Sequence, residues 1–106
     1  MRILFDQGTP VPLRQLLTPH SIATAYELGW STLKNGDLLR RAEERGFDVL
    51  VTTDTNLRYQ QNLASRKIAV VVLTTTSWPR IRLAGDLIVA AVNSATIGSY
   101  VEVIIP

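Results

Sequence analysis

Two aspartates of this chain directly follow predicted strands, and ligands bind at this position in open parallel sheets. Asp6 follows the run 3–5, and Asp54 follows the run 49–53. If the two predicted strands are neighbours, both carboxylates meet at one edge of the sheet. Carboxylates that converge with no Lys or Arg between them repel one another, and a divalent cation would neutralise them. Their hard oxygen atoms favour Mg²⁺ or Mn²⁺, which can polarise a phosphodiester and activate water.

Two further acids are candidates for the same cluster. Asp37 stands at the start of the predicted helix 38–45 and must reach the cluster from the helix side. Glu27 lies just past the second predicted strand. Each acid also has a purely structural interpretation, because Asp caps helices and fills turns. Asp6 and Glu27 would then be turn residues, Asp37 a first-turn helix charge, and Asp54 the cap of the following helix.

Basic side chains are unevenly distributed along the chain. Residues 55–85 contain five of them and no acid. Two of the five, Arg58 and Arg66, are predicted near the carboxyl edge of the sheet, where they could hold RNA phosphates. The planar guanidinium fork suits phosphate. The alternative is a solvated basic face with no ligand.

The elements that must position these residues alternate between strand and helix. Strands are predicted at 2–5, 20–25, 49–52, 68–73 and 100–105. The first predicted helix is opened by Thr9 and Pro10 and stopped by Pro19. Three more are predicted: one at 38–45, a short one that ends near Leu63, and a long one opened by Ser77. Gly46 suits the left-handed position that ends the second helix. This alternation predicts a single domain, 1–106, of three-layer α/β/α type with a mostly parallel five-stranded sheet.

Composition excludes several classes of protein. The 106 residues contain no Cys and one His, so disulfide scaffolds, thiolate metal sites and multi-histidine sites are excluded. No Gly-rich phosphate loop of a nucleotide-cofactor enzyme occurs.

The sequence also shows no sign of a membrane span or of a secretory signal. No apolar run approaches the roughly 20 residues of a membrane span, and the N-terminal run has a charged residue too early for a secretory signal. We expect a cytoplasmic protein without a membrane partner.

Taken together and in order, these motifs resemble a small PIN-like domain, nearest to the compact VapC-related bacterial family of PIN-like proteins. Residues 3–7 resemble the opening strand and first acid of that family, and residues 37–39 resemble its acid at a helix start. Residues 50–57 are similar to the closing motif, in which a strand ends in Thr-x-Asp-x-Asp-Phe. Residues 27–28 match the acid after the second strand less closely. The resemblance covers roughly residues 1–75.

The resemblance implies a metal-dependent ribonuclease, often the toxin of a toxin–antitoxin pair. Asp6, Asp37 and Asp54 would be catalytic and would bind Mg²⁺ or Mn²⁺, with Glu27 and Asn56 as additional ligands. An antitoxin protein and a second copy of the chain would be possible partners beside RNA. Asn56 departs from the family pattern because it stands where a second Asp is common. Its amide oxygen is a weaker ligand, and Asn56 could instead cap a helix or make an Asx turn.

Two other functions remain open from the sequence. A non-catalytic PIN-like interaction domain would explain the missing acid at Asn56. A receiver-type phosphoacceptor module would place its phosphoacceptor at Asp54, after a third strand, and Thr74 after a fourth. The receiver interpretation is disfavoured because Gln7 stands where a receiver has a second acid, and because no Lys follows Lys67.

Overall fold

The computed structural model describes residues 1–57 and 62–106. The strands are β1 (Arg2–Phe5), β2 (Ser21–Thr24), β3 (Val49–Thr52), β4 (Ala69–Leu73) and β5 (Tyr100–Val103). The α-helices are α1 (Asn35–Glu44), α2 (Trp78–Leu83) and α3 (Gly85–Asn93), and two 3-10 helices span Val11–Leu17 and Leu63–Ser65. The helix predicted between Asn56 and Leu63 lies mostly outside the described residues.

The five strands form one parallel sheet in the order β2-β1-β3-β4-β5. In the register, Leu4 of β1 lies opposite Ala23 on one side and Leu50 on the other. The predicted three-layer α/β architecture is confirmed.

The strand order reverses direction once in this sheet. The chain passes from β1 to β2 on one side of β1, and it then places β3, β4 and β5 in turn on the other side. The reversal therefore lies at the boundary of β1 and β3. Open parallel sheets bind ligands in the crevice outside the carboxyl ends of the strands at such a point.

Strand alternation divides the core into two apolar layers. Ile3 and Phe5 face the layer that contains the first 3-10 helix, α2 and α3, whereas Leu4 faces the layer that contains α1. Every residue of β3 and β4 is buried. The near-continuous apolar runs predicted for these strands follow from this burial on both faces.

The long helix predicted from Ser77 onward is wrong in one respect, because it is two helices separated at Ala84. Ala84 has φ −102° and ψ 19°, outside the helical range. The following glycine packs closely, since a Cβ on Gly85 would lie 3.1 Å from a methyl carbon of Leu16. Glycine has low helix propensity, so a break here is inexpensive. Ile81 of α2 and Ile88 of α3 are both fully buried, so the two helices pack against the same side of the sheet.

The first helix also differs from its prediction. It is a 3-10 helix, and Thr9 does not cap it. The Thr9 side chain is occupied elsewhere, at the carboxyl end of β1. Gly46 has φ +75°, which confirms its predicted left-handed position after α1. None of the helices within residues 1–57 and 62–106 is long and apolar enough to cross a membrane.

Candidate functional site

Asp6 and Asp54 lie at the carboxyl ends of two adjacent strands, and one hydroxyl joins them. Asp6 directly follows β1, and its N–H donates to the Val51 carbonyl of β3 at 3.2 Å. The Thr52 hydroxyl donates to Oδ2 of Asp6 and accepts a hydrogen bond from the Asp54 N–H at 3.1 Å. The predicted adjacency of the two aspartate-bearing strands is therefore present, and Thr52 couples the position of one acid to the other.

A second buried threonine orients Asp6 from the opposite side. The Thr9 hydroxyl lies 2.7 Å from Oδ1 of Asp6 and 2.9 Å from the Val51 carbonyl oxygen. The segment after β1 lies close to the segment after β3 at Gly8. Only glycine fits there, because a Cβ on Gly8 would lie 2.5 Å from the Thr53 hydroxyl oxygen. Thr9 and Thr52 were not predicted as site residues, although each lies only two or three positions from an aspartate of the site in the sequence.

Asp54 is held by two neutral donors. Its Oδ2 accepts a hydrogen bond from the side-chain amide of Asn35 at 2.6 Å. Its Oδ1 accepts one from the backbone N–H of Asn56 at 2.9 Å, so the Asp54 side chain forms an Asx turn. Asn35, the first residue of α1, therefore contacts Asp54 at the carboxyl edge of the sheet. Asn35 was not predicted as a site residue, and Asn56 contributes its backbone here.

Asp37 lies apart from these contacts. It is exposed in the first turn of α1, and its carboxylate pairs with the Arg40 guanidinium at 2.7 Å. These contacts fit the interpretation of Asp37 as a first-turn helix charge. Within the described part of the chain, no three or more Asp, Glu, His or Cys side chains form a group that could hold a metal ion. The structure thus brings Asp6 and Asp54 to one edge and does not gather the predicted larger cluster.

A cleft of about 440 Å³ opens in front of Asp6. It is lined by Asp6, Gln7, Thr9, Val11, Thr24, Tyr26 and Glu27. Glu27 therefore lines the same cleft as Asp6. Its Oε1 accepts hydrogen bonds from the Arg14 guanidinium and from the Thr24 N–H at 3.0 Å. The hydrogen bond from Arg14, together with that from Thr24, lowers the pKa of the Glu27 carboxyl below its ordinary value. Glu27 therefore lines the cleft as a carboxylate that is ion-paired with Arg14.

The two predicted phosphate-binding arginines have different outcomes. Arg58 lies outside the described residues. Arg66 was predicted at the carboxyl edge of the sheet, and that location is wrong. It precedes β4 and so lies at the amino edge, where its guanidinium pairs with Glu43 of α1 at 2.8 Å. A crossover between parallel strands must return to the amino edge before the next strand begins.

The Arg66–Glu43 pair predicts a pH-dependent contribution to stability. Burial raises the pKa of the Glu43 carboxyl, but the Lys67 N–H and the Arg66 guanidinium outweigh burial and hold that pKa below its ordinary value. A carboxyl whose pKa is lowered by folding stabilises the protein above its unfolded pKa, and this stabilisation is lost as the pH falls through the folded value. We expect Glu43→Gln to cost about 1–2 kcal/mol at pH 7 and less below pH 4.

Urea unfolding at a series of pH values measures this difference. Glu44→Gln is the matched control, because Glu44 is the exposed neighbour on the same helix. The control is expected to change stability by less than about 0.5 kcal/mol at any pH. Equal effects of the two substitutions would contradict the assigned role of Glu43.

A second prediction concerns the hydroxyl that joins the two aspartates. Thr52→Val keeps the shape of a side chain that is 2 % exposed and removes its hydrogen bonds to Asp6 and to the Asp54 N–H. We expect a loss of about 1.5–3 kcal/mol in the free energy of unfolding, the usual range for a hydrogen bond to a charged group. Thr32→Val, at an exposed turn position, is the control. Denaturant unfolding of both variants distinguishes them, and a Thr52 variant as stable as the wild type would contradict the coupling.

Comparisons of this chain with family models, curated proteins and solved structures found no match. The class of protein is therefore defined by its own fold and site. It is a parallel three-layer α/β protein with two aspartates at the carboxyl ends of adjacent strands.

Proposed function

We propose that this protein is a metal-dependent ribonuclease of PIN-like type, which hydrolyses RNA phosphodiesters in the cytoplasm as the toxin of a toxin–antitoxin pair. The observation that carries the proposal is the pairing of Asp6 and Asp54 at the point where the strand order reverses. Within the described residues, the side-chain partners of both carboxylates are neutral donors. Two negative charges at the ends of adjacent strands, each held by neutral donors, favour a bound cation.

The donor chemistry of the pair fits Mg²⁺ or Mn²⁺. Each of the four carboxylate oxygens accepts one hydrogen bond from a neutral donor. A carboxylate oxygen has two lone pairs, so each retains one for a cation. Mg²⁺ is commonly held by one or two carboxylates, with water and substrate phosphate completing its shell. Asp6 and Asp54 therefore suffice as protein ligands without Asp37.

When bound, the ion supplies Lewis-acid polarisation of the phosphodiester and a more acidic water. The chain supplies positioning. Thr9 and Thr52 fix the plane of the Asp6 carboxylate, and Asn35 fixes Asp54. The cleft in front of Asp6 offers room for a nucleotide, and its wall carries the Gln7 amide and the largely exposed Tyr26 ring.

Cleavage of a labelled single-stranded RNA tests the proposal directly. Wild-type protein with Mn²⁺ is expected to cut the RNA, and the addition of a chelator is expected to stop the reaction. The Asp6→Asn/Asp54→Asn double variant is expected to be inactive under the same conditions. Full cleavage by the double variant would overturn the site assignment.

The strand order supports a second candidate, a receiver-type phosphoacceptor module. The order 2-1-3-4-5 is that of flavodoxin-like domains, which bind ligands at the boundary of β1 and β3. Asp54 lies just past β3, and Thr74 directly follows β4. Incubation with acetyl phosphate and Mg²⁺, followed by mass spectrometry, separates the candidates. A phosphoryl adduct on Asp54 would favour the phosphoacceptor, whereas the nuclease proposal expects none.

A further inference from the structure

The cleft in front of Asp6 has two apolar side chains that are exposed to solvent. Tyr26, just past β2, is 76 % exposed, and Val11, the first residue of the first 3-10 helix, is 55 % exposed. Both line the cleft. Exposed aromatic rings of this kind stack on the unpaired bases of single-stranded RNA. The cleft therefore offers a planar base an apolar surface beside Asp6.

The Glu27 carboxylate is fixed in position in the same cleft, and one of its oxygens is available to a ligand. Its Oε1 accepts hydrogen bonds from Arg14 and from the Thr24 N–H, so both lone pairs of Oε1 are occupied. The Glu27 N–H donates in return to the Thr24 hydroxyl at 3.1 Å. Within the described residues Oε2 has no partner, and the side chain is 49 % exposed. Oε2 therefore keeps two lone pairs for donors of a ligand.

Gln7 adds a group that can both donate and accept. It directly follows Asp6, it is exposed, and it lines the cleft. In the part of the chain that the structure describes, its amide has no hydrogen-bond partner. A side-chain amide carries two N–H donors and a carbonyl acceptor. The cleft thus combines an acceptor-only carboxylate with an amide that can donate.

We propose that this cleft is a guanine subsite, in which Tyr26 stacks on a base of the RNA substrate and Glu27 reads its Watson–Crick edge. Guanine alone among the four RNA bases has two adjacent donors on that edge, N1–H and N2–H. Oε2 of Glu27 accepts both, and the Gln7 amide donates to O6. Adenine, cytosine and uracil each place an acceptor where guanine has one of these donors, so each leaves the carboxylate facing a lone pair.

This role for Glu27 differs from the metal ligand that the family resemblance implies. The inference rests on the proposed function, because it takes the guanine as part of an RNA chain whose phosphate lies at Asp6 and Asp54. Base recognition itself needs neither the metal ion nor cleavage. It can therefore be measured separately with free nucleosides.

Binding of guanosine, inosine and adenosine in the absence of metal ions tests the subsite, with NMR titration of the labelled protein as the readout. Guanosine is expected to bind at least about 10-fold more tightly than adenosine, because a site built around hydrogen bonds rejects a ligand that lacks the donors. Inosine lacks only the N2 amino group, so its affinity is expected to lie between the two. Equal affinities of the three nucleosides, or no binding of guanosine, would overturn the inference.

Two substitutions separate base reading from stacking. Glu27→Gln is expected to reduce the preference for guanosine over adenosine to less than about 3-fold, because it replaces one acceptor oxygen by a donor. Tyr26→Ala is expected to weaken all three nucleosides by about 10-fold and to keep their order, since stacking does not depend on the base. Glu44→Gln is the matched control, because Glu44 is an exposed acid at the end of α1 and outside the cleft. A preference that survives Glu27→Gln would place the recognition elsewhere.

Cleavage of oligonucleotides that contain a single guanosine distinguishes this inference from the proposed function. With Mn²⁺ the wild type is expected to cut next to that guanosine. Cleavage that is independent of guanosine would overturn the guanine subsite and leave the nuclease proposal in place. Selective binding of guanosine without any cleavage would overturn the nuclease proposal and support the subsite.

Discussion

The Asp6→Asn/Asp54→Asn double variant is expected to lose both the thermal stabilisation that Mn²⁺ gives the wild type and the RNA cleavage. A ligand that binds only the folded state at a hundredfold excess over its dissociation constant stabilises by about 2.7 kcal/mol. For a domain of this size that corresponds to a rise in Tm of roughly 10 °C or more. Loss of the ion's contribution to the transition state is expected to lower cleavage by at least about 100-fold.

Asparagine is the appropriate substitute because it keeps the shape of the side chain and one oxygen acceptor while it removes the charge. The matched control is Asp37→Asn, since Asp37 is an exposed acid paired with Arg40. The control is expected to retain both the Mn²⁺ shift and the cleavage. The family resemblance alone predicts the opposite result for this control, so the experiment also measures how far the resemblance applies to this chain.

Three outcomes would contradict the proposed function in different ways. Wild-type protein with neither a Mn²⁺ shift nor cleavage would indicate a non-catalytic interaction domain, in which the two aspartates serve only as turn and cap residues. A Mn²⁺ shift that persists in the double variant would place the metal elsewhere. A shift without cleavage would indicate a metal site that does not hydrolyse RNA.

The pairing of Asp6 with Asp54 was predictable from the sequence, whereas the position of α1 relative to them was not. Apolar runs without alternation identify strands buried on both faces, and a parallel arrangement places their carboxyl ends together. The rotation of a helix about its axis depends on packing. Successive helical residues are about 100° apart, so Asn35 and Asp37 point roughly 200° apart. Once Asn35 faces Asp54, Asp37 must face away.

The position of Arg66 illustrates a different kind of error. Its type and its acid-free surroundings in the sequence suggested a phosphate site near the aspartates. The connection after β3 starts at the carboxyl edge and must end at the amino edge before β4 begins at Ala69. A residue three positions before Ala69 belongs to the end of that connection. Nearness to Asp54 along the chain therefore did not imply nearness in space.

Phe5→Ala is expected to produce the largest loss of stability of any substitution considered for this chain. Phe5 is fully buried at the last position of β1, and the strands on both sides pair with it through Thr24 and Val51. Removing a buried phenyl ring costs its transfer free energy and leaves a cavity, together about 3–5 kcal/mol. Small domains are stable by about 5–15 kcal/mol in total, so the Tm is expected to fall by at least roughly 12 °C.

The position of Phe5 next to Asp6 links this loss of packing to the candidate site. A cavity under the end of β1 removes the support that holds the Asp6 carboxylate between Thr9 and Thr52. Mn²⁺ affinity measured well below the Tm is therefore expected to weaken in Phe5→Ala. Ile104→Ala is the control, because that side chain is 75 % exposed and its truncation should cost less than about 0.5 kcal/mol. A Phe5 variant that is as stable as this control would mean that the core beneath the aspartates is not packed as described.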